Sequence, residues 1–183
     1  MNTFISVLRG VNVAGRNRIK MRLLENALNI PGFDNIQTFI QSGNIVLNTR
    51  DVNAKEAEKI IHETILKHFD LDITVMVRNL PEWEELYENN PFINQGYEDI
   101  DKMHVTFFSA LPRQDLKENL ESMSFMMDEF SIEGSHVYLY CPNGYARSKL
   151  TNSFFEKHLE VRATSRNWKT ISKLRLLAQH VIG

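Results

Sequence analysis

Runs of β-branched residues and apolar residues at helical spacing follow one another in the same cycle twice along this chain. That repeated order is what most narrows the folds open to it. Asn2 to Leu8 reads as a strand, a Gly-containing basic loop follows, and Met21, Leu23, Leu24, Ala27 and Leu28 recur at helical spacing until Pro31-Gly32. Ile36 to Ile40 and Ile45 to Asn48 read as strands joined by Gln41-Ser42-Gly43-Asn44, residues suited to a tight hairpin. Ala57, Ile60, Ile61, Ile65 and Phe69 then line one helical face, and Ile73 to Val77 supplies a further strand. The order is βαββαβ.

Past an acidic, helix-like stretch around Trp83 to Tyr87 and the break at Asn90-Pro91-Phe92, the cycle restarts. Met103 to Phe108 reads as a strand, and Leu116, Leu120 and Met123 as a helical face. Phe130 to Ile132 and Val137 to Tyr140 form a hairpin across Gly134-Ser135. Leu150, Phe154, Phe155 and Leu159 make a helix, Val161 to Ser165 a strand, and Trp168, Ile171, Leu174, Leu177, Ala178 and Val181 a terminal helix. The expected architecture is therefore α+β: two ferredoxin-like (βαββαβ, α-β plait) subdomains by duplication, plus a C-terminal helix. The expected organisation is residues 1–78 as the first subdomain, 79–101 as an acidic connection, and 102–183 as the second subdomain with its terminal helix. The phenylalanines and Met123, Met126 and Met127 are expected in the core.

In a βαββαβ sheet, the loop after the first strand and the turn between the second and third emerge at the same end. Arg9 to Lys20 is thus expected beside Gln41-Ser42-Gly43-Asn44, and Cys141 to Ser148 beside a loop at Ser165 to Trp168. These loops are also where positive charge collects. The net charge is −2, yet Arg9 to Arg22 holds +5 and Arg147 to Arg175 holds +6, which leaves −13 on the other 140 residues. Much of that negative charge falls between Arg78 and Asp101. A chain of this balance lacks the overall basicity of a constitutive nucleic-acid binder.

Each basic loop is expected to lead into a helix, where unpaired N–H groups and the positive end of the dipole favour an anion. Arg9, Asn12, Lys20 and Asn44 form one expected donor set, with Gly15 letting the backbone approach a ligand and Gln41 and Ser42 on the neighbouring turn. Arg147, Ser148, Lys149, Arg166 and Asn167 form a second, in which Ser148 and Asn167 also have capping roles open to them. The leading expectation is a phosphorylated small molecule, such as a nucleotide, as the binding partner. A nucleic-acid module using the basic edges and a non-catalytic protein-interaction module are the alternatives.

Other chemistry lacks its signature. The chain has neither a Walker motif nor G-x-G-x-x-G, neither G-x-S-x-G nor S-x-x-K, and its six histidines show no i, i+4 pair. No metal and no cofactor are expected. The strand Asn44 to Asn48 lacks the aromatics that stack RNA bases on a sheet. Apolar stretches are too short for a membrane span, the N-terminal stretch lacks secretory features, and the lone Cys141 fits a reducing cytoplasm.

Arg9-Gly10-Val11-Asn12-Val13-Ala14-Gly15, Gln41-Ser42-Gly43-Asn44, Asn90-Pro91-Phe92, Arg147-Ser148-Lys149-Leu150 and Thr164-Ser165-Arg166-Asn167-Trp168, in this order, resemble the uncharacterised bacterial family of domain of unknown function 1697 (DUF1697). The resemblance spans nearly the whole chain. It implies a duplicated ferredoxin-like architecture and a cytoplasmic bacterial protein, and implies no activity, substrate or cofactor. Ala14 departs from the family pattern, which has a second glycine there, leaving Gly15 as the flexible point.

Overall fold

The structure, a computed structural model, describes residues 1–181; Ile182 and Gly183 lie outside the described residues. The chain forms two compact units, Met1–Leu86 with Lys173–Gly183, and Tyr87–Ser172. In chain order the first cycle contains β1 (Asn2–Leu8), α1 (Met21–Leu28), β2 (Phe33–Thr38), β3 (Asn44–Thr49), α2 (Ala54–Phe69) and β4 (Val75–Asn79), followed by α3 (Leu80–Glu88). After α4 (Pro91–Asn94) come β5 (Met103–Phe108), α5 (Gln114–Glu121), β6 (Glu129–Glu133), β7 (His136–Tyr140), α6 (Asn152–Leu159), β8 (Ala163–Asn167) and α7 (Trp168–His180).

The sheets run β2-β3-β1-β4 and β6-β7-β5-β8, antiparallel throughout. This is the duplicated ferredoxin-like arrangement with a C-terminal helix. The alternation of strand side chains sends Phe4, Leu8, Ile45 and Leu47 to the helix-covered face of the first sheet. They meet Leu24 and Leu28 of α1 and Ala57, Ile61 and Ile65 of α2 in one core. The spacing of four along α2 aligns its three buried residues, and a capping box between Asn53 and Glu56 starts the helix. In the second unit Phe108, Val137 and Leu139 pack with Leu120, Phe155 and Leu159 in the same manner.

Both last strands lie two residues further along than the apolar pattern predicts, because their ends are polar. Arg78-Asn79 and Ser165-Arg166-Asn167 complete β4 and β8, and each strand passes directly into a helix. Asn79 accepts the Glu82 N–H at 2.8 Å, and Asn167 accepts the Thr170 N–H at 2.8 Å. There is thus no loop at Ser165 to Trp168. Helix α6 begins at Asn152 rather than Leu150, since the Thr151 hydroxyl caps Phe154 N–H. Arg147-Ser148-Lys149 therefore precedes the helix rather than opening it.

Met123, Met126 and Met127 depart from the expected core position, being 42, 93 and 61% exposed. Helix α5 ends at Glu121, Phe125 packs against Phe130 and Phe154 instead, and Met126 adopts a left-handed conformation (φ 58°) that turns the chain. Among the described residues no helix is long and apolar enough to cross a membrane.

Candidate functional site

The loop between β1 and α1 bends sharply, with Gly10, Asn12, Ala14, Gly15 and Asn17 all at positive φ. Asn12 closes it. Its Oδ1 accepts the Ile19 N–H at 2.9 Å, while Nδ2 donates to the Ile19 carbonyl at 2.8 Å and the Gln41 carbonyl at 2.8 Å. One side chain thus pairs with both main-chain groups of Ile19, as a neighbouring strand would, and pins the loop to the β2–β3 turn. Asn17 Nδ2 adds a bond to the Gly10 carbonyl at 3.0 Å. The turn approaches from the other side, where Leu8 N–H donates to the Gly43 carbonyl at 2.8 Å.

This closure leaves an open cleft of about 630 Å³, lined by Asn12, Gly15, Arg18, Ile19, Lys20, Leu23, Gln41 and Phe69. Four of the residues singled out from the sequence, Asn12, Gly15, Lys20 and Gln41, meet there. Their contributions differ. Both Nδ2 protons of Asn12 are spent on main-chain carbonyls, of Ile19 in its own loop and of Gln41 on the neighbouring turn, so it shapes the cleft rather than donating into it. Lys20 sits exposed at the start of α1, its side chain capping no helical N–H. Gln41 is exposed, with its carbonyl held by Asn12. Asn44 and Ser42 stand behind the turn: Asn44 is fully buried and donates to the Phe39 carbonyl at 2.9 Å and to Ser42 Oγ at 3.2 Å. Arg9 is half-buried, and its main-chain N–H donates to the Thr74 carbonyl at 3.0 Å.

Sequence reasoning missed four lining residues, Arg18, Ile19, Leu23 and Phe69. Arg18 lies within the basic run, and its Nε donates to the Gly15 carbonyl at 3.1 Å, which holds the guanidinium at the rim. Leu23 was read as one position of an apolar helical face, yet it is 50% exposed. Phe69, the last residue of α2, is half-buried beside it in the lining. The signal for Leu23 was present, since the buried residues of α1 are Met21, Leu24 and Leu28, and Leu23 falls off that stripe.

The second expected donor set does not assemble. Arg147 and Lys149 are exposed, while Ser148 accepts the Leu150 N–H at 2.9 Å. Arg166 is 7% exposed in the middle of β8, where Nη1 donates to Thr164 Oγ1 at 2.9 Å and to the Ser165 carbonyl at 2.8 Å. Burial pushes its pKa down to about 10. Alternation along β8 sends Arg166 to the face opposite Ser165, and Asn167 is occupied as the cap of α7.

What the Cys141–Ser148 segment does meet is Ser165. Tyr145 Oη lies 2.8 Å from Ser165 Oγ, which is also 2.6 Å from Thr106 Oγ1 and donates to Asn152 Oδ1 at 2.6 Å. The His104 ring stacks on Tyr145 at 4.5 Å, and burial lowers the His104 pKa. Burial also raises the Tyr145 pKa and pushes the Cys141 thiol up to about 11. The hydroxyls of Tyr145, Ser165 and Thr106 are satisfied by one another and by Asn152, and the His104 ring and the Cys141 thiol are desolvated, which suits a lock between turn, helix and strand rather than a nucleophile. Among the described residues no group of three or more His, Cys, Asp or Glu is arranged to hold a metal ion.

The fold and this cleft define a duplicated ferredoxin-like protein with an open, basic-rimmed hollow in its first unit. The family model described as "Protein of unknown function (DUF1697)" matches residues 1–138, and the chain belongs to that family. Among solved structures it is similar to the conserved bacterial protein SP0830 from Streptococcus pneumoniae. The TM-score is 0.75 at 22% identity, over 97% of this chain and 98% of the other. That likeness concerns the fold. No curated protein matches the chain.

Proposed function

We propose that the cleft beside the β1–α1 loop binds a phosphorylated small molecule whose remainder is apolar or aromatic, a nucleotide being the simplest example. The observation that carries this reading is that two cations, Arg18 and Lys20, line the same hollow as the apolar Ile19, Leu23 and Phe69. Its volume of about 630 Å³ suits a ligand of that size. The phosphate would lie toward Arg18, Lys20 and the start of α1, where charge-assisted bonds and the helix dipole act together. The remainder would cover Leu23, taking exposed apolar surface out of water. Residence in a bacterial cytoplasm belongs to the same proposal, supported by the single buried thiol of Cys141.

The test is a thermal-melt screen against nucleotides, sugar phosphates, inorganic phosphate and short oligonucleotides at two salt concentrations, followed by calorimetry on the best ligand. A ligand at about 100 times its dissociation constant adds about 2.7 kcal/mol of stability, a shift of several degrees. Replacing Arg18 or Lys20 by Ala should each cost about 1.5 to 3 kcal/mol of binding, at least tenfold in affinity. Equal affinity in both variants would move the site elsewhere. A response to oligonucleotides alone, lost with added salt, would replace the proposal with nucleic-acid binding.

A further inference from the structure

Four strands end the two sheets: β2, β4, β6 and β8. An edge strand presents N–H and C=O groups with no ladder partner, and natural proteins block such edges. Three of the four are blocked by a glutamate from an overlying helix. Glu25 of α1 accepts the Thr38 N–H of β2 at 2.7 Å, and a register shift between Asp34 and Gln37 further disrupts that strand. Glu58 of α2 accepts the Val77 N–H of β4 at 3.1 Å. Glu156 of α6 accepts the Ala163 N–H of β8 at 2.9 Å.

Strand β6 is built differently. It pairs with β7 in unbroken register from Glu129↔Tyr140 to Glu133↔His136, across the two-residue turn Gly134-Ser135. The pair flanking such a turn exchanges both its hydrogen bonds, so Glu133, Ser131 and Glu129 turn their main-chain groups toward β7. Phe130 and Ile132 then present theirs outward. Among the described residues nothing hydrogen-bonds to those outward groups.

The side chains say what could add there. Glu129 and Glu133 lie on one face of β6 with Ser131 between them, both exposed. Tyr97 Oη donates to Glu129 at 3.0 Å and Ser131 Oγ donates to Glu133 at 3.1 Å, but among the described residues neither carboxylate has a cationic partner. The opposite face carries Phe130, and apolar side chains stand exposed near both ends of the strand, Met127 at 61% and Leu111 at 72%. A second copy of β6 added antiparallel would set Glu129 against Glu133, a repulsive pairing. We propose that β6 is a docking edge for an extended segment of a partner protein in which Lys or Arg alternates with apolar residues. Main-chain bonds to Phe130 and Ile132 would hold the segment, and the two glutamates would fix its register.

The test uses the full chain, labelled with ¹⁵N, and the capped peptide Lys-Val-Lys-Phe-Lys-Val, with Glu-Val-Glu-Phe-Glu-Val as control. Saturable binding of the basic peptide with slowed amide exchange at Phe130 and Ile132 is expected. The double variant Glu129→Lys/Glu133→Lys, exposed at both positions, should weaken the basic peptide by roughly tenfold and bind the acidic one better. No saturable binding up to millimolar peptide overturns the proposal, as does binding that leaves those two amides unprotected. Protection that grows with protein concentration alone overturns it in favour of self-pairing.

Discussion

The two units share a topology and differ in the connection that follows the first strand of each and in what lies beside it. In the first, the connection from β1 to α1 runs from Arg9 to Lys20 through five left-handed residues and holds a cleft open at its outer side. In the second, the equivalent connection from β5 to α5 is the short stretch at residues 109–113, with no positive φ. That unit gathers a hydrogen-bonded cluster around Ser165. The register makes the contrast direct: Ser6 faces Val77 in the first sheet, while Thr106 faces Ser165 in the second and carries Tyr145 and Asn152 with it. A βαββαβ core tolerates either choice because its stability comes from the apolar layer between sheet and helices. One copy thereby shapes an open cleft and the other an internal hydrogen-bond cluster.

The largest test of that contrast lies in the matched hairpin turns. Gly43 sits at φ 78°, and a Cβ there would come within 2.9 Å of Leu8 Cβ, an atom fixed by the strand itself. Gly43→Ala combines left-handed strain with overpacking against β1 and should cost about 3 kcal/mol in chemical denaturation. Gly134, at φ 55°, would meet nothing nearer than Leu111 Cδ2 at 3.9 Å. Gly134→Ala should cost only about 1 kcal/mol, the conformational part alone. Equal losses would mean that the two turns are not packed as differently as the structure has them.

A smaller effect separates the cleft from the lock. Asn12→Ala removes three hydrogen bonds from a partly exposed loop, and Ser165→Ala leaves Tyr145, Thr106 and Asn152 short of a partner. Each should lower stability by about 2 kcal/mol. Their effects on the cleft should diverge, because only Asn12 ties the loop to Gln41. Calorimetry with the ligand found by the melt screen should show binding lost or weakened at least tenfold in Asn12→Ala and unchanged in Ser165→Ala. Loss in both would erase the division of roles between the units.

Much of this arrangement was legible in the sequence, for reasons particular residues make plain. The strands β1, β3, β5 and β7 are central and carry apolar residues such as Ile5, Val46, Val105 and Leu139 in runs that periodicity detects. Edge strands β4 and β8 end in Arg-Asn, whose role as strand end and helix cap together cannot be seen in a hydrophobic pattern. The juxtaposition of Asn12 with Gln41 followed from topology alone, since that required only knowing which loops leave the same end of a sheet. The use made of each side chain did not follow. Asn12, Asn44 and Asn167 are amides whose donors or acceptors could serve a ligand or the backbone, and three-dimensional proximity to Ile19, Phe39 and Thr170 commits them to the backbone. Arg166 is expected from the sequence as an anion donor in a loop ahead of a helix; the register beside Val105 places it in β8, buried.

The smallest expected effect tests the lock through pH. His104 stands opposite Asn167 in β5–β8, where the first sheet has Phe4 opposite Asn79. Its Nδ1 is buried with no hydrogen-bond partner among the described residues, so protonation would place a charge in a largely desolvated site. Burial accordingly lowers its pKa below the ordinary 6.5, with the Lys102 main chain opposing in part. With the folded value depressed, the unfolded chain takes up a proton first as pH falls. The stability tied to neutral His104 is complete above about pH 6.5 and declines as acid carries the solution down through the folded value. Denaturation curves recorded from pH 7.5 to pH 5 should therefore fall more steeply for the parent chain than for His104→Phe, which gives the second sheet the first sheet's residue. Parallel slopes would show that this ring is as wet as a surface histidine, and that the stack on Tyr145 does not close it off.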